Sequence, residues 1–306
     1  MVHVTCGHFH IAIVGVTSFN SGEFDPDTIM TSLGSKVRAC LPWAKWLVAV
    51  ALVASAAGGE TPSSRDQAVK RIAMIIGENE YHTWETLPEF AHKELEPRGY
   101  QVSFVLSSPK EGDTHFADYE AIKDADLIVI SVRRRTPPKP MMALIRAHVD
   151  SGKPVAGIRT ACHAFDAAPP NSECAAWPGF DVEVLGGKYG GHYGNKPPEG
   201  AYTVIDPVDA NGSHLVLVGV KPSALRVTSH LYKFTNLSTT SVVLLRGRVE
   251  GTEKIEPVAW VNTAKGRRVF FTSLGNLDDF QSPMFRRLLL NGITWCLGEK
   301  DPVKPQ

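Results

Sequence analysis

Four short and nearly uninterrupted apolar runs constrain this chain more than any other feature. Arg71–Gly77 reads R-I-A-M-I-I-G, Gln101–Leu106 reads Q-V-S-F-V-L, Leu127–Val132 reads L-I-V-I-S-V, and residues 154–158 read P-V-A-G-I. A strand with one wet face alternates apolar and polar residues, so runs without alternation are expected for strands covered on both faces, as in a parallel sheet. After the first run, Leu87, Phe90, Ala91 and Leu95 share one helical face, and Thr86 with Glu89 has the spacing of a capping box. After the third, Met141, Leu144, Ile145, His148 and Val149 repeat that spacing and Gly152 closes it, which puts His148 in the core. Strands alternating with helices imply βαβ units, right-handed crossovers and a mostly parallel sheet.

The fourth run leads into R-T-A-C-H-A-F, a sharp turn at Arg159-Thr160 and a short helix through Cys162 and Phe165 that Pro169-Pro170 stops. A strand-to-helix elbow of this kind lifts one side chain to the carboxyl edge of the sheet, where open α/β sheets bind ligands. Here that side chain is Arg159. The same edge rule selects Glu78, Glu80, Tyr81 and His82 after the first run and Arg133-Arg134-Arg135 after the third. The stretch 179–195 is rich in glycine and aromatics, is too irregular for a regular element, and adds Tyr189, His192 and Tyr193 if it folds over that edge. His82 and His192 have the chemistry of a general acid or base. Cys162 beside His163 has the pieces of a thiol nucleophile and its base, although three residues past the elbow its sulfur is expected to point into packing.

Strand-like runs follow at 201–205, 215–218, 241–246, 257–261 and 268–272. A last helix behind Ser282-Pro283 buries Phe285, Leu288, Leu289, Ile293 and Cys296 and ends at Gly298. No repeat or linker divides this part, so residues 71–299 read as one domain, with 58–70 as a polar lead-in and 300–306 as a tail. Residues 1–57 read differently. From Met30, an alternative start, Lys36, Arg38 and Lys45 precede the apolar stretch W-L-V-A-V-A-L-V-A, whose last residue opens Ala54-Ser55-Ala56, the pattern of a secretory signal peptide too short in its apolar part to span a bilayer comfortably. The expectation is a periplasmic or secreted protein with no stable membrane association once the signal is cleaved. Export leaves Cys162, Cys174 and Cys296, of which the first two are candidates for a disulfide. With 32 basic and 32 acidic residues, there is no electrostatic reason to expect a nucleic-acid partner.

Several stretches, taken in order, resemble the trehalose-utilisation (ThuA-like) family: R-I-A-M-I-I-G, S-V-R-R-R, G-K-P-V-A-G-I-R-T-A-C-H-A-F, V-L-G-G-K-Y-G-G-H at 184–192, S-H-L-Y-K at 229–233, and the final V-F-F-T-S-L-G-N-L-D-D-F with its helix. The resemblance covers about residues 70–299. It implies a flavodoxin-like three-layer α/β sandwich similar to class I glutamine amidotransferases and a link to sugar metabolism; some members hold a divalent metal such as zinc. His192 matches the family's histidine after the glycine pair, whereas Gly275-Asn276 stands where a Gly-His is expected. Aligned with an amidotransferase elbow, Arg159 occupies the place of the nucleophilic cysteine, which disfavours a glutaminase.

These residues support three expectations. The first is an exported enzyme, a hydrolase or isomerase, acting on a small sugar or glycoside, with Arg133, Arg134 and Arg159 holding polar or anionic groups, and His82 or His192 serving as acid/base or, with Glu80, as ligands of one metal ion. The second is a non-catalytic carbohydrate-binding protein in which Trp84, Trp177, Tyr189 and Tyr193 stack on sugar rings. The third is a hydrolase or amidase that uses Cys162. Each leaves room for a homo-oligomer.

Overall fold

The computed structural model describes residues 3–6, 9–12, 69–110 and 112–299, and divides the chain into Met1–Asp66 and Gln67–Gln306. In the first unit, strands β1 (His3–Cys6) and β2 (Phe9–Ala12) form an antiparallel hairpin. The expected signal peptide, most of the lead-in and the tail lie outside the described residues.

The second unit is a three-layer sandwich around a nine-stranded sheet. Its strands are β3 (Arg71–Gly77), β4 (Gln101–Leu106), β5 (Leu127–Val132), β6 (Val155–Ile158), β8 (Thr203–Pro207), β9 (Arg226–Val227), β11 (Ser241–Val249), β12 (Ile255–Asn262) and β13 (Val269–Thr272). They lie in the order β4-β3-β5-β6-β13-β12-β11-β8-β9. Pairing is parallel from β4 through β13 and antiparallel from β13 to β9. The parallel half follows the flavodoxin-like order, in which the chain reverses direction across the sheet between β3 and β5. The expected parallel sheet is therefore present, and the second half of the chain extends it with antiparallel strands.

The apolar runs behave as the absence of alternation requires. Ile72, Met74 and Ile76 of β3 pack on one face with Leu87 and Phe90 of α1 (Thr83–Phe90) and with Phe285, Leu288 and Ile293 of α4 (Pro283–Cys296). Ala73 and Ile75 pack on the other face with Ile122 of α2 (Ala121–Asp124) and with Met141, Ile145 and Val149 of α3 (Lys139–Asp150). Both faces of one strand are thus core, and each fully buried aliphatic or aromatic side chain contributes about 1.5–3 kcal/mol.

Three local expectations are corrected. Helix α1 begins at Thr83, and its N-terminus is satisfied by Glu78, whose carboxylate accepts from Thr83 N at 2.7 Å and Thr83 Oγ1 at 2.8 Å. Thr86 and Glu89 make no capping box; Thr86 Oγ1 instead donates to His82 O. Residues 215–218 contain a 3₁₀ turn (Leu215–Leu217) and no strand, because His214 Nδ1 accepts from Val216 N at 3.2 Å and closes the backbone locally. The glycine-rich stretch is regular: a π-helical turn (Asp181–Leu185) leads into strand β7 (Lys188–His192), which pairs antiparallel with β10 (Tyr232–Thr235). Asp181 sets up that change of direction, its backbone carbonyl accepting from Gly186 and Gly187 and its carboxylate from Tyr189 N at 3.0 Å.

Candidate functional site

Loops from the carboxyl ends of β3, β5, β6 and β13 converge with the β7–β10 ribbon on a cavity of about 420 Å³. It is lined by Glu80 and Tyr81 after β3, Arg133 and Arg134 after β5, His163 after β6, and Asn276 after β13. The ribbon and its flanks add Tyr189, His192, Lys196, Ser229, His230 and Tyr232. This is the switch point of the parallel half, where ligands bind in open α/β sheets.

Glu78 fixes the first loop. Wholly buried, it also accepts from Glu80 N and Tyr81 N at 2.7 Å each, so that four donors converge on one carboxylate. The loop then presents Tyr81 to the cavity and Glu80 to Arg133, whose guanidinium lies 2.8 Å from the Glu80 carboxylate. Of the arginine run, only Arg133 and Arg134 reach the cavity. Arg135 turns inward, donating to Gly77 O at 3.0 Å, to Ser108 O at 3.2 Å and to Lys110 O, and so ties the ends of β3 and β4 together. Arg134 adopts a left-handed φ of 48° while its backbone N–H donates to His163 O at 3.0 Å.

The elbow exists, with Arg159 at a strained φ of 45°. Its side chain differs from the expectation of direct contact with a ligand. Arg159 is 1% exposed and is not among the cavity-lining residues. Its guanidinium lies against the rings of Tyr81 (4.1 Å) and Tyr232 (4.5 Å) and donates to Ser273 O at 2.5 Å and His230 O at 3.4 Å. Burial alone opposes its charge, but Tyr232, Tyr81 and the Asp279 carboxylate hold it firmly protonated. Arg159 is thus a buried cation behind two tyrosines of the wall, which it positions through cation–π contact. Asp279 in turn accepts from Gly275 N and Asn276 N and fixes the loop carrying Asn276. That loop needs Gly275, at φ +118° and with Ile158 pressed against it.

His163 lines the cavity, stacked on Tyr189 with ring centroids 4.5 Å apart. Burial first, and then Arg134 and Arg133, push its titration down to about 3, so it is a neutral imidazole at any ordinary pH. Cys162 is corrected as a nucleophile candidate. It is 2% exposed, its Sγ donates to Arg159 O at 3.2 Å and lies 3.3 Å from His163 Nδ1, and it lines a recess of about 30 Å³. Burial pushes the thiol well above its usual range despite Arg159 nearby, whereas a nucleophilic cysteine needs the opposite shift. Cys162 and Cys174 are separate buried thiols rather than a disulfide, and Cys296 is a third.

The histidines expected to act together are apart. His82 stacks on Trp84 (4.7 Å) and lines a neighbouring, shallower cavity that shares Glu80, Lys196 and Asn276 with the first. His192 instead stacks on His230, with centroids 4.4 Å apart and planes within 9°. Among the described residues, no three His, Cys, Asp or Glu side chains gather to hold a metal ion. Tyr193 is not in the cavity wall; its hydroxyl donates to Glu256 at 2.8 Å and Lys233 lies over its ring. Trp177 is buried under Arg146, and the phenol rings that line the cavity are those of Tyr81, Tyr189 and Tyr232. Lys196, Ser229 and His230 were missed by the edge rule because they come from the ribbon's flanks. The stretch S-H-L-Y-K was the available signal for the last two.

The sequence matches the ThuA family, described as trehalose utilisation, over residues 50–296. The chain belongs to this family. Two solved structures of putative ThuA-like proteins share the fold. One, from Bacteroides uniformis, is 19% identical with a TM-score of 0.54 and covers 78% of this chain and 96% of that one. The other, from Parabacteroides merdae, is 18% identical with a TM-score of 0.54 and covers 78% and 93%. No curated protein matches the sequence. Membership of the ThuA family links the chain to carbohydrate metabolism. Asn276, which stands where the sequence reading expected a histidine, lines the cavity.

Proposed function

We propose that this ThuA-family protein binds a small sugar derivative in the 420 Å³ cavity and moves a proton on it, with the His192–His230 pair as the acid/base couple. The observation that carries the proposal is the stacked pair itself, lying in the wall of a cavity of ligand size at the switch point. Two charged imidazolium rings with centroids 4.4 Å apart would repel each other. His230 is pushed down by burial and by its partner His192, which favours the neutral form there. His192 Nδ1 accepts from Gly194 N at 3.2 Å, which in the neutral ring places the proton on Nε2. Tyr81, Tyr189 and Tyr232 offer ring faces and hydroxyls to a sugar, and Arg133, Arg134 and Asn276 offer donors to its oxygens. Arg159 buried at the elbow and Cys162 held as a thiol by burial argue against thioester chemistry. Export through residues 1–57 belongs to the same proposal.

The test is calorimetric binding and turnover on a panel of mono- and disaccharides, with wild type, His192→Ala and His230→Ala. The expected outcome is retained binding with turnover reduced about a hundredfold or more in each variant, the scale of general acid–base catalysis. Unchanged turnover in His192→Ala removes its role. Sugar binding with no turnover in wild type makes the protein a carbohydrate-binding protein.

A further inference from the structure

We infer that the sugar taken by this cavity is acidic, carrying a carboxylate or a phosphate; this rests on the proposed sugar-binding function and specifies its substrate class. Three cations, Arg133, Arg134 and Lys196, line the cavity against one carboxylate, Glu80. Glu80 is already engaged by Arg133 at 2.8 Å. Arg134 and Lys196 make no ion pair among the described residues. Asp166, in the adjoining recess, is pushed up by burial while Arg134 acts to lower it, yet the two form no ion pair. Among the described residues, the cavity therefore carries two positive charges without an ion-pair partner beside a wall of tyrosines, and a neutral sugar supplies neither with a counter-charge.

A second observation points to a ligand at the same place. Ser229 lines the cavity, is 3% exposed, and its Oγ has no hydrogen-bond partner; the adjacent His230 Nδ1 is likewise buried without one. Buried polar atoms are ordinarily satisfied, so a hydroxyl donor left open in a cationic cavity is a ready contact for an oxyanion. The neutral state of His163 agrees with this arrangement, since Arg134 and Arg133 follow burial among the causes that hold its proton off. An anion bound among these groups makes charge-assisted hydrogen bonds, which are stronger than those available to a sugar hydroxyl.

The test is titration calorimetry of the whole chain with glucose, glucuronate, glucose 6-phosphate and inorganic phosphate. It uses wild type, Arg134→Gln, Lys196→Gln and the double variant, all at exposed positions whose folding is verified by near-ultraviolet dichroism. Wild type is expected to bind one acidic sugar about tenfold or more tighter than glucose. That margin is expected to collapse in the double variant, and to shrink as salt rises from about 50 to about 500 mM. Whichever acid is preferred identifies carboxylate or phosphate, and competition by inorganic phosphate supports the latter. Glucose binding as tightly as both acids, or a margin indifferent to the double variant and to salt, overturns the inference while leaving the sugar site standing. No binding of any sugar removes both.

Discussion

Acidification provides a quantitative check on the core, through His148. This residue lies on α3, 4% exposed, with Nε2 2.9 Å from Pro154 O and Nδ1 without a partner. Burial, with further help from Lys153 and Arg267, pushes its titration from 6.5 down to about 4. The sign follows from which state takes the proton. Above pH 6.5 both folded and unfolded chains hold a neutral ring and nothing changes. Between 6.5 and about 4 the unfolded chain binds a proton that the folded one refuses, so stability falls by about 1.4 kcal/mol per pH unit. At about pH 5 the loss is ~2 kcal/mol, a sizeable part of the 5–15 kcal/mol typical of a domain. Urea denaturation of wild type and His148→Gln at about pH 7.5 and about pH 5 isolates the effect, because carboxylate contributions common to both proteins cancel in the difference. The variant is expected to lose about 2 kcal/mol less than wild type on acidification. Equal losses would refute the argument that a buried neutral imidazole sits there. His163, pushed down to about 3, is expected to add a loss of similar size at pH 5.

Three other outcomes follow from the loops that build the cavity. Iodoacetamide is expected to leave Cys162 unmodified in the folded protein, and rapid labelling read by peptide mass spectrometry contradicts its assignment as a buried thiol. Glu78→Gln removes a charge that four donors share and is expected to lower stability by about 2 kcal/mol in urea denaturation; a change below about 0.5 kcal/mol contradicts its anchoring role. Gly275→Ala forces a β-carbon against Ile158 at φ +118°, with an expected loss of about 1–3 kcal/mol, and wild-type stability contradicts the tight approach.

The parallel half of the fold was legible because β3, β5 and β6 are buried on both faces and leave no polar alternation in their sequence. The edge rule correctly gathered Tyr81, Arg133, Arg134, His163, Tyr189 and His192 into one wall. What it misjudged depended on long-range partners. Arg159 looks like a presented cation until Tyr81 and Tyr232, distant in sequence, are seen to cover it. Tyr193 stands next to His192 but on the other side of an extended ribbon, so one reaches Glu256 and the other the cavity. Lys196, Ser229 and His230 were not selected because they lie on no carboxyl end of a sheet strand; the antiparallel pairing of β7 with β10 brings their loops there. The helix start at Thr83 was hidden for a similar reason, since its cap is a glutamate five residues upstream.

The central claim, that ligand enters the cavity between the His192–His230 pair and Arg134, is tested most directly by imidazole NMR during titration with the sugar that binds most tightly. The account expects the His163, His192 and His230 ring resonances to move together and saturate with the calorimetric affinity, while those of exposed His92 and His115 stay fixed. Saturable binding that leaves the three cavity histidines unmoved would contradict it.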